Sequence, residues 1–301
     1  MVGIANLLDN KIGIGTAQFG NVYGAFNQHG KTPLKEVEKI INYCLEKKVY
    51  IIDTAPTYGE SELVIGKCLP LYHPFKIITK TPHFKTDKIT TVHTERLVKT
   101  FLLSLEKLKQ PSLYGLLIHH VNDLFVDNGH LLYEVMQEFK RKKLVKKIGV
   151  SIYTGEQIDQ LMCQYHFDLV QLPINIFDQR LIEGGQLKKL KEQGVEIHAR
   201  SAFLQGLLVT PPDNLHSYFN NIKNRLIEYY KFIQAYSLSP TQAALGFLKQ
   251  INEIDVIVLG VETKEQLKEN IKDYSRVWPR CDLSQFAISD ENIINPTCWK
   301  I

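Results

Sequence analysis

No stretch of this chain approaches the roughly 20 consecutive apolar residues of a membrane-spanning helix, so no span is expected. Cysteine is scarce and scattered. Cys44, Cys68, Cys163, Cys281 and Cys298 are odd in number and never form a CxxC pair. That speaks against a disulfide framework and a zinc site, and for free thiols in a reducing cytoplasm. Met1 to Leu8 lack the basic start and long apolar region of a secretory signal, which also points to the cytoplasm. Charge of one sign is not concentrated. The formal net charge of +4 is too small and too dispersed for a nucleic-acid partner. Lys140, Arg141, Lys142 and Lys143, followed by Lys146 and Lys147, do cluster, but at the end of an expected helix, where cations offset its dipole. The GxGxxG fingerprint of open dinucleotide-binding sheets is missing too. Gly13 and Gly15 occupy its first two glycine positions, but Gln18 stands at the third. No metal-ligand set is evident.

What is there is alternation. Apolar runs at 12–15, 49–52, 75–79, 113–118, 147–151, 169–172, 195–199 and 255–259 read as strands. Helical spacing fills the intervals at 33–47, 62–69, 91–108, 128–142, 156–163 and 184–192, with two helices between 217 and 250 and one over 264–272. Strand then helix, repeated about eight times, implies a parallel sheet. The length of 301 residues without a linker fits a single-domain (β/α)8 barrel, a TIM barrel, over 1–301 with added loops and a C-terminal tail. A doubly wound open sheet is the runner-up, and the missing fingerprint weighs against it.

In a barrel the loops after the strands form the active face. Asp53, Lys80 and His119 each close a different expected strand, and Tyr58 lies in the loop after Asp53. Singly each has an ordinary explanation: an acidic strand end, a solvated lysine, a structural histidine, a loop tyrosine. Jointly they place an acid, a base, a phenol and an imidazole around one mouth.

Several segments carry a family resemblance, in order and across nearly the whole chain. They are Gly13-Ile14-Gly15-Thr16, Asp53-Thr54-Ala55-Pro56-Thr57-Tyr58-Gly59, Thr79-Lys80, Leu117-Ile118-His119, Ile148-Gly149-Val150-Ser151, Val170-Gln171-Leu172-Pro173 and Glu269-Asn270. The chain resembles the aldo-keto reductase family. That resemblance implies a (β/α)8 barrel that binds NADP or NAD without a Rossmann domain and reduces an aldehyde or ketone. It implies Tyr58 as general acid, Asp53 and Lys80 as the pair that tunes it, and His119, preferred over His120, as the group that orients the carbonyl. Free tyrosine titrates near 10, and a nearby cation favours phenolate.

By the same resemblance the cofactor contacts are Gly15, Thr16, Ser151, Gln171, Arg200, Ser201, Gln266, Glu269 and Asn270. Arg200 stands where many members place an aromatic ring against the nicotinamide, and a guanidinium can also stack on a flat ring. Gly260 and Gln266 occupy places where many members carry cations for the 2′-phosphate. Family habit gives NADP as the expected cofactor. Lys264, Thr263 and the helix start there are the candidate phosphate donors, and Glu262 leans towards NAD. The segment Ala199 to Leu207 looks like a bacterial subgroup with polysaccharide-associated members, which suggests a sugar or sugar derivative as substrate. Two alternatives stay open: a nucleotide-binding sensor or auxiliary subunit with little turnover, and a cofactor-free barrel lyase.

Overall fold

The computed structural model describes residues 10–27, 29–279 and 281–300. The reading of Met1 to Leu8 lies outside them, as do the outermost residues of the expected 1–301 domain. Eight strands pair in parallel and in chain order: β1 (Ile12–Gly15), β2 (Ile51–Asp53), β3 (Lys76–Lys80), β4 (Leu113–Ile118), β5 (Val145–Ser151), β6 (Leu169–Pro173), β7 (Glu196–Arg200) and β8 (Val256–Gly260). The ring closes through β8 and β1, where Ile12 faces Ile257 and Gly15 faces Gly260. This is the closed (β/α)8 barrel expected from the alternation, and the open sheet is excluded.

Period two along each strand sorts the side chains. Ile12, Ile14, Ile52, Ile77, Leu116, Ile148, Val150, Val170 and Ile197 join the large core shared with the helices. Ile78, Leu117 and Leu169 form a separate small cluster with Ile51 against it, filling the inside of the ring. On five strands the inward series continues two residues on, at the carboxyl end, into a polar side chain. Ile51 leads to Asp53, Ile78 to Lys80, Gly149 to Ser151, Leu169 to Gln171 and His198 to Arg200. Gly149 is required by the closeness of the strands, since a Cβ there would sit 2.1 Å from the Leu169 carbonyl oxygen.

The helices pack outside with their apolar stripes inward. Leu34–Lys47 buries Val37, Ile40, Ile41 and Cys44, and ends where Lys48 turns left-handed. Thr154 and Ser239 cap their helices reciprocally with Gln157 and Gln242. Two expectations are refined. The helix expected over 184–192 begins at Gln186, because left-handed Gly185 separates it from a short turn, Arg180–Glu183. The region after Ser217 opens as a 3-10 turn, Ser217–Ile222, before the helices Lys223–Ala235 and Pro240–Lys249. The C-terminal segment completes a second hydrophobic cluster around Phe219, Tyr229, Phe286 and Ile293. Trp299 pins it by donating its indole N–H to the Ile293 carbonyl at 3.1 Å.

Candidate active site

Asp53 and Lys80 meet inside the carboxyl end of the barrel because both continue inward-facing series on neighbouring strands. The Lys80 ammonium donates to Asp53 Oδ2 at 2.7 Å and to the Thr54 carbonyl at 2.9 Å. Gln171 donates from Nε2 to the other carboxylate oxygen at 2.8 Å. Asp53, Lys80 and Gln171 are all buried. A buried ion pair of this kind is tolerated because each partner is charge-matched and further hydrogen-bonded. Tyr58 joins from the loop after β2. Its ring lies 4.9 Å from the Lys80 Nζ and meets the His119 ring edge-on at 5.9 Å. The four expected catalytic candidates therefore converge.

The loop that carries Tyr58 is held by hydroxyls. Ser61 Oγ lies 2.9 Å from the Thr16 carbonyl oxygen, 2.8 Å from the Thr16 hydroxyl and 3.1 Å from the Thr54 hydroxyl. Thr16 in turn donates to the Asp53 carbonyl at 2.9 Å. A serine just before a helical run reads as its cap. Ser61 is instead the first residue of Ser61–Cys68 and spends its hydroxyl on the end of β1, against which it is buried. A second buried acid, Glu62, accepts from the Thr79 hydroxyl at 2.7 Å directly behind Lys80. Its presence here was hidden by a position that reads as an ordinary helix start.

Charge in the site differs from the expectation in one respect. Burial is the largest influence on the Tyr58 phenol and raises it well above its usual range, with the Asp53 carboxylate adding to the rise. The cation that opposes this is Arg200, since the Lys80 charge is matched by Asp53. Lys80 itself is pulled down by burial against the upward influence of Asp53. His119 is driven down to about 2, by burial first and then by Lys80, His120 and Arg200, so its imidazole is neutral. Its Nδ1 lies 3.4 Å from the Thr57 hydroxyl, and its backbone N–H is held by the Thr81 hydroxyl at 3.1 Å. Next to it, His120 stacks on His83 with centroids 3.8 Å apart.

A cavity of about 430 Å³ runs from Tyr58 and Asp53 past Arg200 to the start of the helix that follows β8. Gly15, Thr16, Gln171, Arg200, Ser201, Gln266, Glu269 and Asn270 all line it, as expected. Ser151 is buried beside Gln171 in the strand register but is not part of the wall. Tyr23, Phe26, Gln205 and Thr241 line it without having been singled out. Tyr23 and Phe26 sit on a loop, Gln205 in a kinked 3-10 segment and Thr241 in the first turn of Pro240–Lys249, so only the fold brings them together. Gln205 accepts from the Ala25 N–H at 3.1 Å, which ties the loop after β1 to the loop after β7 across the cavity.

At its far end the cavity meets the helix Lys264–Tyr274. Thr263 caps that helix, accepting from the Gln266 N–H at 3.1 Å, as a threonine just before a helical run can. Two further backbone donors there are also taken. Lys264 N–H goes to the Glu36 carboxylate at 2.9 Å, and Glu262 N–H to Gln266 Oε1 at 2.8 Å. The Lys264 ammonium lies 5.5 Å over the Tyr43 ring and takes no part in the wall. Arg200 is the one lysine or arginine among the described residues of that wall. No three His, Cys, Asp or Glu side chains gather as metal ligands among the described residues. Nor is any described helix long and apolar enough to cross a membrane.

Comparison with known proteins agrees with this geometry. The model of the aldo/keto reductase family matches residues 11–290. Aldo-keto reductase YhdN of Bacillus subtilis is 28% identical over 206 residues, 66% of this chain and 60% of that protein. The chain thus spans less than two thirds of that relative's length. An uncharacterized oxidoreductase of the same organism, YqkF, is 22% identical over 90% of this chain and 89% of its own. Among solved structures, aldo-keto reductase AKR11C1 from Bacillus halodurans superposes with a TM-score of 0.71 at 18% identity, over 92% of this chain and 90% of that one. The glycerol dehydrogenase AKR11B4 from Gluconobacter oxydans does so with a TM-score of 0.66 at 20% identity, over 91% and 89%.

Proposed function

The chain belongs to the aldo/keto reductase family, and from that premise we propose that it is a cytoplasmic, nicotinamide-dependent carbonyl reductase with Tyr58 as its general acid. The observation that carries this reading is the convergence of Tyr58, His119, Lys80 and Asp53 beside the long cavity. The residues fit a dinucleotide. Gln171 spends its side-chain nitrogen on Asp53, and its side-chain oxygen Oε1 takes no hydrogen bond among the described residues, so it can accept from a carboxamide. Glu269 and Asn270 offer polar contacts to an adenine at the other end, and Arg200 and Ser201 lie between.

When bound, the nicotinamide supplies a hydride. The chain supplies the rest. Tyr58 donates a hydrogen bond to the carbonyl oxygen and then its proton as negative charge develops there. Neutral His119 is the second donor and fixes the direction of the carbonyl. Lys80, locked by Asp53 and Gln171, holds the Tyr58 ring by its cation–π contact. The intact set favours turnover over a binding-only role. A polyol or sugar-derived carbonyl is the substrate class to assay first, given the sequence reading and the structural relative described as a glycerol dehydrogenase.

Family habit gives NADP, but the charges of the cavity weigh towards NADH. A 2′-phosphate needs donors, and three backbone donors around the helix start are taken by Glu36, Thr263 and Gln266, with Lys264 turned away. Glu262 adds a carboxylate to that end of the wall. Fluorescence-quenching titrations with both reduced cofactors, combined with steady-state turnover of Tyr58→Phe, test the reading. NADH is expected to bind more tightly. The variant should lose about 10²–10⁴-fold in turnover with cofactor affinity unchanged. NADPH binding tenfold tighter would reverse the preference, and a variant within a few-fold of wild type would remove Tyr58 from its role.

A further inference from the structure

Arg200 ends β7 on the inward face, and its guanidinium is held in place without being neutralised. It packs 4.3 Å from the centre of the Tyr153 ring. One nitrogen donates to the Ile152 carbonyl at 3.0 Å and another to the Ser201 hydroxyl at 3.3 Å. Among the described residues no carboxylate forms an ion pair with it. Asp53, the acid that shares its cavity wall near Tyr58, is already occupied by Lys80 and Gln171. The charge reaches its surroundings, opposing protonation of His119 and Lys80 and ionised-form repulsion at Tyr58. The far end of the same cavity carries Glu262 and Glu269 and no lysine or arginine among the described residues, so the positive charge is confined to the reaction end.

We propose that Arg200 selects the oxidation state of the cofactor, favouring the neutral, reduced nicotinamide over the cationic, oxidised one, and so biases the site towards carbonyl reduction. This rests on the reading above that the nicotinamide lies beside Arg200. A flat guanidinium stacks on either form of the ring. Only the oxidised form carries a full positive charge, and two like charges in a partly desolvated site repel. In the reduction, two electrons and one hydrogen pass from the neutral ring to the carbonyl carbon, and the carbonyl oxygen takes the proton of Tyr58. The ring left beside Arg200 is then cationic, and the repulsion that disfavours it also speeds its departure. A neutral aromatic side chain at this position would hold both forms without that distinction.

The test is the ratio of dissociation constants of the oxidised and reduced forms of one cofactor. It is measured by titration calorimetry on the wild-type protein, Arg200→Gln, Arg200→Tyr and Arg200→Lys, with melting temperatures to establish that each variant is folded. The wild type should prefer the reduced form. Arg200→Gln and Arg200→Tyr should cut that preference about tenfold, mainly through tighter binding of the oxidised form, and Arg200→Lys should retain it. An unchanged ratio in the folded neutral variants overturns the inference and leaves the proposed function standing. Equal weakening of both forms also overturns it, since Arg200 would then contribute only uniform binding. If the wild type binds neither form, the proposed function falls and this inference with it.

Discussion

At the scale of single residues, the site works by denying charge to groups that could carry it. His119 shows this most directly. Burial comes first, and Lys80, His120 and Arg200 then hold its protonation down to about 2. An imidazole free in water titrates near 6.5, so between those values the unfolded chain binds a proton that the folded one refuses. Stability from this residue is therefore complete above about 6.5 and declines as pH falls through that window. The same neutrality makes a functional prediction. The pH profile of kcat/KM should show no limb near 6.5 from His119, and a limb there that disappears in His119→Gln would sink the assignment of a neutral donor. The sequence reveals Asp53, Tyr58, Lys80 and His119 through their places at or after strand ends. The pairing of Lys80 with Asp53 is implied by the family resemblance, but the sequence does not reveal that burial dominates Tyr58. That depends on distances between strands far apart in the chain.

At the scale of elements, the loop bearing Tyr58 owes its position to a four-residue helix, Ala17–Gly20, directly after β1. Four residues are too few for a periodic signal, and the element was not legible in the sequence. Its last residue is in contact with the candidate acid. A Cβ on Gly20 would lie 1.6 Å from the Tyr58 carbonyl oxygen and 2.6 Å from the Ser61 nitrogen, both of them backbone atoms that cannot swing aside. Gly20→Ala must therefore push the Tyr58 loop outward. The expected cost is about 1–3 kcal/mol in urea unfolding, as for other overpacked sites. Turnover should fall further than this partial destabilisation explains, while the affinity for reduced cofactor stays near that of wild type. An alanine variant with the wild-type unfolding midpoint and turnover would show that the loop is positioned by something else. Caps were uneven in legibility. Thr263 behaves as its sequence context suggests, whereas Ser61 does not, because its hydroxyl is drawn to Thr16 by tertiary packing that no local rule contains.

At the scale of the whole molecule, the barrel divides its polar residues between two ends. The closed ring itself was legible, because eight apolar runs separated by helical spacing leave few other ways to bury them. The loops that roof the cavity were not, and neither was the floor. At the floor, opposite the cavity, Glu196 starts the inward series of β7. It accepts from the Tyr114 hydroxyl at 2.7 Å, lies 2.7 Å from His198 Nε2 and is paired with Lys147. Burial alone would raise its carboxyl, but hydrogen bonds from His198, Lys147 and Tyr114 outweigh it and bring the value to about 2. An unfolded glutamate titrates near 4.3, so the folded value is depressed. The stabilisation is thus fully present above about 4.3 and is lost as pH falls towards 2. The difference corresponds to about 3 kcal/mol at neutral pH. Other carboxylates titrate in the same window, so the informative quantity is the stability of wild type minus that of Glu196→Gln, from urea unfolding at several pH values. That difference should be near its maximum from pH 5 to 8 and shrink steadily between pH 4.3 and 2.5. A difference that stays constant across that range would mean that Glu196 contributes through packing, and that its charge does not hold the floor of the barrel.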